Sequence, residues 1–325
     1  MNSARADSTS AVQTFSSQMG SWNVITTGAF STDSHVHGKV AVGGAATLSG
    51  NAEINSHGTT NAEALRVYGN LNLYGMNNKV LSGSATVVKN STVNTQLTVV
   101  TGPTGSNQTP IVDTVHGGTL VLNGNGGTPT VSTLAAADNF FISRDNLLQT
   151  ANTDLLNASG ALSGTLSGNR LSFNTATAGV SVFNWNIDQL TNIGEVGFNL
   201  GANSFAVVNI IGNTFNTTWN AGFNFLAGSD FLASHILWNI GIANVNLNGS
   251  EILGSILAPD TNIVSYKQLN GSIYAGSLNQ HGQEIHYTRT SVNVPEESSM
   301  LVTAFAAVAI GLAAWARRFL GRSAS

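Results

Sequence analysis

The sequence predicts a mainly β protein, a right-handed β-solenoid (β-helix) with one long packed α-helix and a C-terminal transmembrane helix. Three observations support this fold. Short segments alternate apolar and polar residues and are separated by Gly and Asn, which indicates strands joined by tight turns. A five-residue segment recurs 17 residues later, as coils of a solenoid do. One uncharged apolar run of 17 residues lies near the C-terminus.

The composition fits an exported protein with a weakly charged surface. Only 9% of the residues are charged, against about 25% in an average globular protein, whereas 35 residues are Gly. The net charge of −4 provides no basic field for nucleic acid. The lack of Cys in the sequence excludes disulfides, thiolate catalysis and Cys-ligated metal clusters. We therefore expect no nucleic-acid partner and no cofactor.

Residues 22–131 are expected to form only short strands. The segments 38–44 (GKVAVGG), 67–73 (VYGNLNL) and 119–122 (TLVL) alternate with a period of two, which predicts β-structure with one buried face. The pattern resumes after Gly160. The later strands are expected at residues 171–173, 180–185, 196–200 and 205–210.

Residues 133–159 form the one stretch of the soluble part with a helical pattern. Apolar residues recur there at spacings of three, four or seven, and neither Gly nor Pro interrupts them. Gly160 is well placed to end the helix. We expect this helix to pack against the sheet that it follows rather than to bind a partner. Its apolar stripe consists of Leu134, Ala137, Phe141, Leu148, Ala151 and Leu155.

An internal repeat links distant parts of the chain. Residues 254–258 (GSILA) recur as residues 271–275 (GSIYA), and such self-similarity predicts coils that stack apolar residues on one another. A degenerate third copy, residues 38–42 (GKVAV), lies near the other end. We therefore expect both ends of the chain to contribute coils to one solenoid.

The C-terminal segment, residues 291–325, has the pattern of a membrane-sorting tail. Residues 300–316 carry no charge and are just long enough to span a bilayer as a transmembrane helix. Arg317, Arg318 and Arg322 follow at once, and basic residues hold that end of a helix in the cytoplasm. The residues before the helix are therefore expected to lie outside.

A short motif precedes this apolar run. Val294, Pro295 and Glu296, together with the helix and the Arg cluster, resemble the PEP-CTERM sorting signal. The resemblance implies cleavage by an exosortase-type processing enzyme of a Gram-negative bacterium. It also implies export to the cell envelope, outer surface or medium, with transient anchoring in the inner membrane. The usual Pro-Glu-Pro reads Pro-Glu-Glu here, with Glu297 in third place.

Residues 1–14 are expected to lie outside the main domain, which takes residues 15–290. The first 20 residues contain no apolar signal-peptide core. However, Ala4, Arg5 and Ala6 have the small-x-small pattern of a signal-peptidase site. We expect the given start to lie inside a longer signal peptide.

Segments of the main domain resemble the choice-of-anchor A family. The resemblance covers about residues 15–286 and is most specific at residues 254–259 (GSILAP). It implies a surface domain that is attached by whichever anchor its host uses and is related to adhesin-like modules described as collagen-binding. It defines no catalytic residues. The matching segments are residues 22–44, 182–185, 205–210, 236–239, 254–259 and 271–275.

Histidines near the start are candidate metal ligands. Asp33, His35 and His37 alternate on one predicted strand and so share a face, as metal ligands would need. Two His without a third ligand in view favour exposed strand histidines instead. Glu284 and His286 are a weaker pair still, so the sequence assigns no metal site.

Other residues with catalytic potential are isolated in the sequence. Solenoid enzymes that cleave carbohydrate need two carboxylates a few ångströms apart, and no such pair is recognisable. Trp185, Trp219 and Trp238 are expected in the core rather than on a glycan-binding face. The sequence therefore predicts no enzyme. The four candidate carboxylates are Asp188, Glu195, Asp230 and Glu251.

The leading interpretation is a structural or adhesin-like protein of the cell surface or extracellular matrix. Its partner would be an extracellular polysaccharide or a matrix protein. Two alternatives stay open, an ice-binding β-solenoid protein and a carbohydrate-active β-helix enzyme. Ice-binding proteins of one widespread family share a solenoid, an adjacent helix and a similar closing motif. Ice recognition would need Thr pairs at the repeat spacing, whereas the sequence has single pairs at Thr128 and Thr130 and at Thr175 and Thr177.

Overall fold

The computed structural model describes most of the first of two units into which the chain divides, Met1–Val292 and Asn293–Ser325. The predicted transmembrane helix and the sorting residues 294–296 and 317–318 lie outside the described residues. Within the described residues, no helix combines the length and apolarity needed to cross a membrane. The described residues are 3–58, 63–88, 94–99, 111–122, 130–132, 140–175, 177–189, 193–212, 218–221, 224–225, 230–249 and 251–292.

Short strands dominate this part of the chain, which confirms the mainly β prediction. The helices are α1 (Ser3–Met19), α2 (Phe140–Leu156) and α3 (Asp230–His235), with a 3-10 helix at Ile187–Gln189. The first strands are β1 (Trp22–Thr26), β2 (Phe30–Thr32), β3 (His35–Val36), β4 (Lys39–Val42), β5 (Ala46–Leu48), β6 (Glu53–Ile54), β7 (Glu63–Val67), β8 (Leu71–Leu73), β9 (Asn78–Val80), β10 (Ser84–Val88), β11 (Leu97–Val99), β12 (Ile111–Asp113), β13 (Thr119–Leu122) and β14 (Thr130–Ser132). The others are β15 (Leu162–Ser163), β16 (Thr165–Ser167), β17 (Arg170–Thr175), β18 (Gly179–Asn186), β19 (Glu195–Leu200), β20 (Ser204–Ile211), β21 (Thr218–Ala221), β22 (Asn224–Phe225), β23 (Ile236–Ile240), β24 (Asn244–Leu247), β25 (Ile252–Leu253), β26 (Ser255–Ser265), β27 (Leu269–Asn270), β28 (Ile273–Gln280) and β29 (Ile285–His286).

Parallel pairing of these strands builds the three faces of a solenoid. Strands β26 and β28 each run through two faces, and their register shifts between Ala258 and Asn262 where they turn from one to the next. The helix face has the order β14-β10-β7-β4-β1-β28-β26-β23-β20-β18-β15. The open face has the order β21-β24-β26-β28-β2-β5-β8. The histidine face has the order β13-β9-β6-β3-β29-β27-β25, and strands β16, β17, β19 and β22 form a separate sheet.

The first coil pairs with the last coil on all three faces. Val24 lies beside Ile273 on the helix face, and Phe30 lies beside Leu278 on the open face. Val36 lies beside Ile285 on the histidine face. We call this junction the closing seam. It confirms that both ends of the chain contribute coils to one solenoid, and it covers sheet edges that would otherwise expose unpaired backbone groups.

Stacked apolar side chains fill the interior. Ile256 pairs with Ile273, so the 17-residue repeat is one coil of the solenoid. Trp185 and Trp238 are buried as predicted, whereas the side chain of Trp219 lies outside the described residues. The inward stack beneath the helix face consists of Phe183, Val208, Trp238, Ile256, Ile273, Val24, Val40, Leu65 and Ala85.

Helix α2 covers the helix face, as predicted for residues 133–159. The described helix begins at Phe140 and ends at Leu156, and residues 133–139 lie outside the described residues. Leu148 and Leu155 are fully buried against the strands. Gly160, with φ of +74°, lies in the turn that follows, a conformation in which Gly carries no steric penalty.

Helix α1 is not predicted by the sequence analysis. It packs against α2 and buries Val12, Phe15 and Met19 at spacings of three and four. These few apolar residues stand among Ser, Thr and Gln, so the helical period is weak in the sequence. Packing against α2 stabilises α1 in place of strong helix propensity.

A row of glycines forms the corner between the helix face and the open face. The N–H of Gly44 donates to the carbonyl of Gly28 at 2.9 Å, and the N–H of Gly69 donates to that of Gly44 at 3.0 Å. A Cβ atom on Gly44 would stand 2.7 Å from the carbonyl carbon of Gly28. The backbones therefore approach too closely at this corner for any residue but Gly.

Candidate functional site

The helix face is closed by its own helix through a buried ladder of asparagines. The amide of Asn209 donates to Asn184 and that of Asn239 donates to Asn209, each at 2.8 Å. Asn152 of helix α2 donates to Asn239 at 2.8 Å, and Asn209 also donates to the carbonyl of Leu155 at 2.7 Å. These amides are satisfied inside the protein, so they are not available to a ligand.

Helix α2 is also tied to the closing seam. The hydroxyl of Tyr274 donates to Oδ1 of Asp145 at 2.7 Å. Burial, and then the hydrogen bond to this carboxylate, strongly raise the pKa of Tyr274, so the phenol stays protonated. This hydrogen bond holds the helix over the last coil.

The open face presents parallel ladders of small polar side chains. Its inward residues are apolar, for example Val245, Ile263 and Leu278, so the alternate residues point outward. The outward side chains that the structure describes are half-buried or exposed, and none of these is charged. Seven strands at about 4.8 Å make this face about 29 Å long. The described outward residues are Asn244, Asn246, Asn262, Val264, Ser277, Asn279, Ser31, Thr47 and Asn72.

Neighbouring rungs of this face are linked to one another. The hydroxyl of Ser277 donates to Asn262 at 2.7 Å, and the amide of Asn262 donates to Asn244 at 3.3 Å. Ser31 donates to Asn279 in the adjacent row. Lateral hydrogen bonds reduce the rotamer freedom of these side chains, so the face is ordered before it meets a ligand.

Buried side chains cap the far edge of the open face at strand β8. The backbone N–H of Leu71 donates to Oδ1 of Asn94 at 2.5 Å, and that of Leu73 donates to Oδ2 of Asp113 at 3.0 Å. Both capping side chains are fully buried. They satisfy edge N–H groups that would otherwise pair with another chain.

The histidine face carries a ladder of ionisable and amide side chains in the position before each inward apolar residue. Lys79 contacts Glu53 at 3.0 Å, and Nε2 of His35 lies 3.6 Å from Glu53. His35 also contacts Glu284 across the closing seam, Nδ1 to Oε1, at 3.2 Å. The ladder runs in the order Lys79, Glu53, His35, Glu284, Gln268 and Glu251.

A histidine cluster surrounds Glu284 at the seam. Oε2 of Glu284 lies 3.1 Å from Nε2 of His37 and 3.0 Å from Nε2 of His286. The rings of these two histidines stack with centroids 4.1 Å apart, and His57 stands edge-on to His37 at 3.8 Å. Ligand atoms of His37, Glu284 and His286 all lie within 4.8 Å of one another. These three residues have the spacing to hold a metal ion.

The cluster shifts the pKa values of two of its members. Burial, followed by repulsion from His286, lowers the pKa of His37, although the hydrogen bond to Glu284 opposes this. The hydrogen bond from His286, against the effect of burial, lowers the pKa of Glu284. At neutral pH, His37 is therefore a neutral imidazole beside an ionised carboxylate.

The residues that lie together in the structure differ from the group of candidate ligands expected from the sequence. His35 and His37 flank the buried Val36 and both reach Glu284, but Asp33 does not join them. Asp33 instead accepts the N–H of Gly282 at 2.5 Å and lies 4.0 Å from His281. It precedes β3 in a bend, so it does not share the alternation of that strand. Glu284 and His286, the weaker pair in sequence, are the residues that lie beside His37.

The candidate carboxylates do not form a recognisable acid and base pair among the described residues. Asp188 lies in the 3-10 helix, and Glu195 begins strand β19. Glu251 accepts hydrogen bonds from the side-chain amides of Gln268 and Asn270. The side chain of Asp230 lies outside the described residues.

The threonine pairs named from sequence do not lie on the open face where the structure describes them. Thr175 is buried and its hydroxyl lies 2.9 Å from that of Ser181. Thr128 and the side chain of Thr130 lie outside the described residues. Thr47 is the one described outward Thr of the open face.

The described residues define a class of protein by their fold, a parallel β-solenoid with one helix-covered face and one open face whose described outward side chains are uncharged. Residues 15–287 match the model of a family described as "Putative Ice-binding-like adhesive domain". Because this match covers most of the chain, the protein belongs to this family of ice-binding-like adhesive domains.

Several solved structures are similar in part. A glycosylated ice-binding protein from an Arctic yeast is 10% identical, with a TM-score of 0.35 over 86% of this chain and 94% of that one. A domain of an ice-binding protein from Shewanella frigidimarina is 9% identical, with a TM-score of 0.37 over 84% and 96%. The ice-binding protein of Antarctomyces psychrotrophicus is 12% identical, with a TM-score of 0.38 over 85% and 98%. A comparison with curated protein sequences finds no match.

Proposed function

We propose that this protein is an exported adhesin-like protein whose open face, on a right-handed β-solenoid, binds an extracellular polysaccharide or matrix protein. The observation that carries this proposal is the uncharged, laterally ordered ladder of Asn, Ser and Thr on that face. Membership of an adhesive-domain family supports the same function.

The chemistry of the open face suits an extended neutral polymer. Each Asn amide offers both donors and an acceptor, which is what a chain of sugar hydroxyls or peptide groups requires. The face is long, and its described outward side chains carry no charge that would select an ionic ligand. Many weak contacts at a repeated spacing would then add up along the polymer.

Ice binding is the second candidate, and it would use the same face. A regular array of similar side chains is also what binding to the ordered water of ice requires. The family description includes ice-binding-like domains. Asn dominates the described outward positions, with Thr47 alone among the threonines. Amides extend further than the compact Thr pairs expected for ice, so this composition favours the polymer.

A charge placed in the middle of the open face tests the proposal. The purified full chain would be assayed for binding to immobilised polysaccharides and matrix proteins, and for thermal hysteresis. Asn262→Lys should reduce adhesion at least tenfold, because a Lys must be desolvated against a neutral ligand. Asn146→Lys, on the exposed side of helix α2, is the matched control and should retain binding.

Three outcomes separate the candidates. Loss of polymer binding only in Asn262→Lys supports adhesion through the open face. If the wild type shows thermal hysteresis and Asn262→Lys does not, the open face binds ice and the adhesion proposal is wrong. If both variants bind the polymer equally well, the adhesive surface lies elsewhere on the molecule. A glycosidase assay on the bound polymers tests the enzyme alternative, for which we expect no product.

We also propose that the tail sorts the protein, in line with its resemblance to PEP-CTERM signals and that of the main domain to choice-of-anchor A proteins. Val294, Pro295 and Glu296 would be recognised by an exosortase-type enzyme, with residues 300–316 as the transient anchor and Arg317 and Arg318 on the cytoplasmic side. Mass spectrometry of the mature protein should show a C-terminus near Glu296. Full-length protein in the membrane with its Arg residues intact would reduce the tail to a simple anchor.

A further inference from the structure

Four of the seven histidines of the chain meet at the closing seam. His35, His37 and His57 come from the first coils, and His286 comes from the last. Adhesion through the open face does not use them, because they lie on a different face of the solenoid. Their convergence brings together nitrogen ligands from opposite ends of the sequence.

The geometry around Glu284 fits a tetrahedral ion. Zinc binds His nitrogen and carboxylate oxygen at about 2.0–2.2 Å, which places neighbouring ligand atoms about 3.3 Å apart. The distances from Oε2 of Glu284 to Nε2 of His37 and of His286 are 3.1 and 3.0 Å. The two imidazole rings now stack with their planes 16° apart, so an ion between the three ligand atoms requires the rings to tilt until both Nε2 lone pairs point at it.

Exposure leaves the cluster accessible from one side. The side chain of His37 is 14% exposed, whereas those of His286 and Glu284 are 31% and 40% exposed. An ion held by these three groups would keep a fourth position toward solvent. That position is available to water.

Neighbouring side chains orient the three ligands. His35 contacts the second oxygen of Glu284 at 3.2 Å, which leaves Oε2 pointing at the other two histidines. Nδ1 of His286 lies 3.1 Å from the amide of Gln268.

We propose that His37, Glu284 and His286 form a binding site for one divalent transition-metal ion of the Zn²⁺ type. Imidazole with a single carboxylate favours Zn²⁺, Ni²⁺ or Cu²⁺ over Ca²⁺ and Mg²⁺, which require more oxygen ligands. His37 belongs to the first coil, and the other two ligands belong to the last. The ion therefore cross-links the two ends of the solenoid domain at its closing seam and stabilises it.

Metal binding to the purified full chain tests the site. After treatment with EDTA, calorimetric titration with ZnCl₂ should show one ion per chain with a Kd of about 1 μM or lower. Zn²⁺ at a hundredfold excess over Kd should raise the Tm by about 5 °C. CaCl₂ and MgCl₂ at the same concentration should leave the Tm unchanged.

Three variants and one control locate the ion. His37→Ala, His286→Ala and Glu284→Gln should each weaken Zn²⁺ binding at least tenfold. His281→Ala is the matched control, since His281 also lies near a carboxylate, Asp33, but outside the cluster. Glu284→Gln keeps the shape of the side chain and removes its charge, so it separates a lost ligand from a lost fold, which circular dichroism also monitors.

Cobalt provides an independent readout of geometry. Co²⁺ bound by two imidazoles, one carboxylate and water should give the intense visible absorption of a tetrahedral ion, and Glu284→Gln should abolish it. Equal Zn²⁺ affinity in the wild type and all three variants would overturn the site. Binding without any rise in Tm would overturn the cross-link between the coils.

Discussion

The solenoid has two asparagine ladders, of which one is covered by helix α2 and the other lies on the open face. On the helix face, Asn184, Asn209 and Asn239 are stacked on adjacent strands, and helix α2 closes over them. On the open face, Asn244 and Asn262 are stacked in the same way but remain at the surface. In both cases parallel pairing in register places identical amides about 4.8 Å apart, within reach of one another.

The difference between them is what lies above the ladder. Beneath α2, Asn209 donates to the carbonyl of Leu155 and Asn239 donates to that of Asn152. These buried bonds to the helix backbone fix the position of the helix. The open ladder satisfies only its lateral bonds within the protein, which leaves donors and acceptors for a partner. The same residue type therefore serves structure on one face and binding on the other.

The largest effect is expected from breaking the covered ladder. Asn209→Ala should destabilise the protein by about 3 kcal/mol, because it removes three hydrogen bonds of one buried side chain, those with Asn184, with Asn239 and with the carbonyl of Leu155. Urea unfolding followed by circular dichroism measures the change. A loss below about 1 kcal/mol would mean that water replaces the missing amide and that the ladder does not hold α2.

The glycine corner between the two faces should come next. Gly44→Ala places a Cβ atom 2.7 Å from the carbonyl carbon of Gly28, so the coils must separate at the corner. We expect a loss of about 2 to 3 kcal/mol, with strands of both faces affected. Hydrogen exchange should show faster exchange in β2 and β5 than in the wild type. Unchanged protection of these strands would show that the backbone at the corner accommodates the extra Cβ atom without loss of stability.

The acid stability of the open-face edge should depend on Asp113. Burial alone would raise the pKa of Asp113, but hydrogen bonds from the N–H of Leu73 and from the N–H and ring of His116 outweigh it, so the pKa lies below its ordinary value of 3.8. The contribution to stability is therefore fully present above this ordinary value and is lost as the pH falls through the lower folded pKa. Asp113→Asn should cost about 2 kcal/mol at pH 7 and flatten the loss of stability in acid.

Denaturation by urea at a series of pH values tests this dependence. Asn94→Asp serves as a comparison, because it adds a carboxylate at the other capping position of the same edge. If Asp113→Asn kept the acid slope of the wild type, another carboxylate would be responsible for it. Increased aggregation of Asp113→Asn is expected as well, since the edge N–H of Leu73 loses its strongest acceptor.

The sequence predicts the solenoid because its signals are local. The alternation in β4, β13, β18 and β20 and the 17-residue repeat each follow from a few adjacent residues. The closing seam joins distant residues, but it could be anticipated because residues 38–42 resemble the repeated segments 254–258 and 271–275. Helix α1 could not, because its stability comes from packing against α2 and its own apolar period is weak.

The candidate sites depend on non-local geometry and were predicted only in part. His37 and His286 are far apart in sequence, and only the pairing of β3 with β29 brings them together. The two Asn ladders look alike in sequence, since which face a helix covers is decided by the path of the chain between β14 and β15. A pattern of Asn at equivalent positions of successive coils would have been the signal for both ladders.

The smallest effect on stability, and the sharpest on function, is expected at Asn262. Asn262→Ala removes one lateral bond to Asn244 and one from Ser277 on an exposed surface, so the free energy of unfolding should change by no more than about 0.5 kcal/mol. Adhesion should nevertheless weaken, because an amide next to the central strand of the open face is lost. The free energy of unfolding and the affinity for the ligand should be measured for Asn262→Ala and for Asn209→Ala, each on a single preparation, and compared. If both variants lost stability equally, or if Asn262→Ala bound its ligand as the wild type does, the distinction between a covered structural ladder and an open binding ladder would fail.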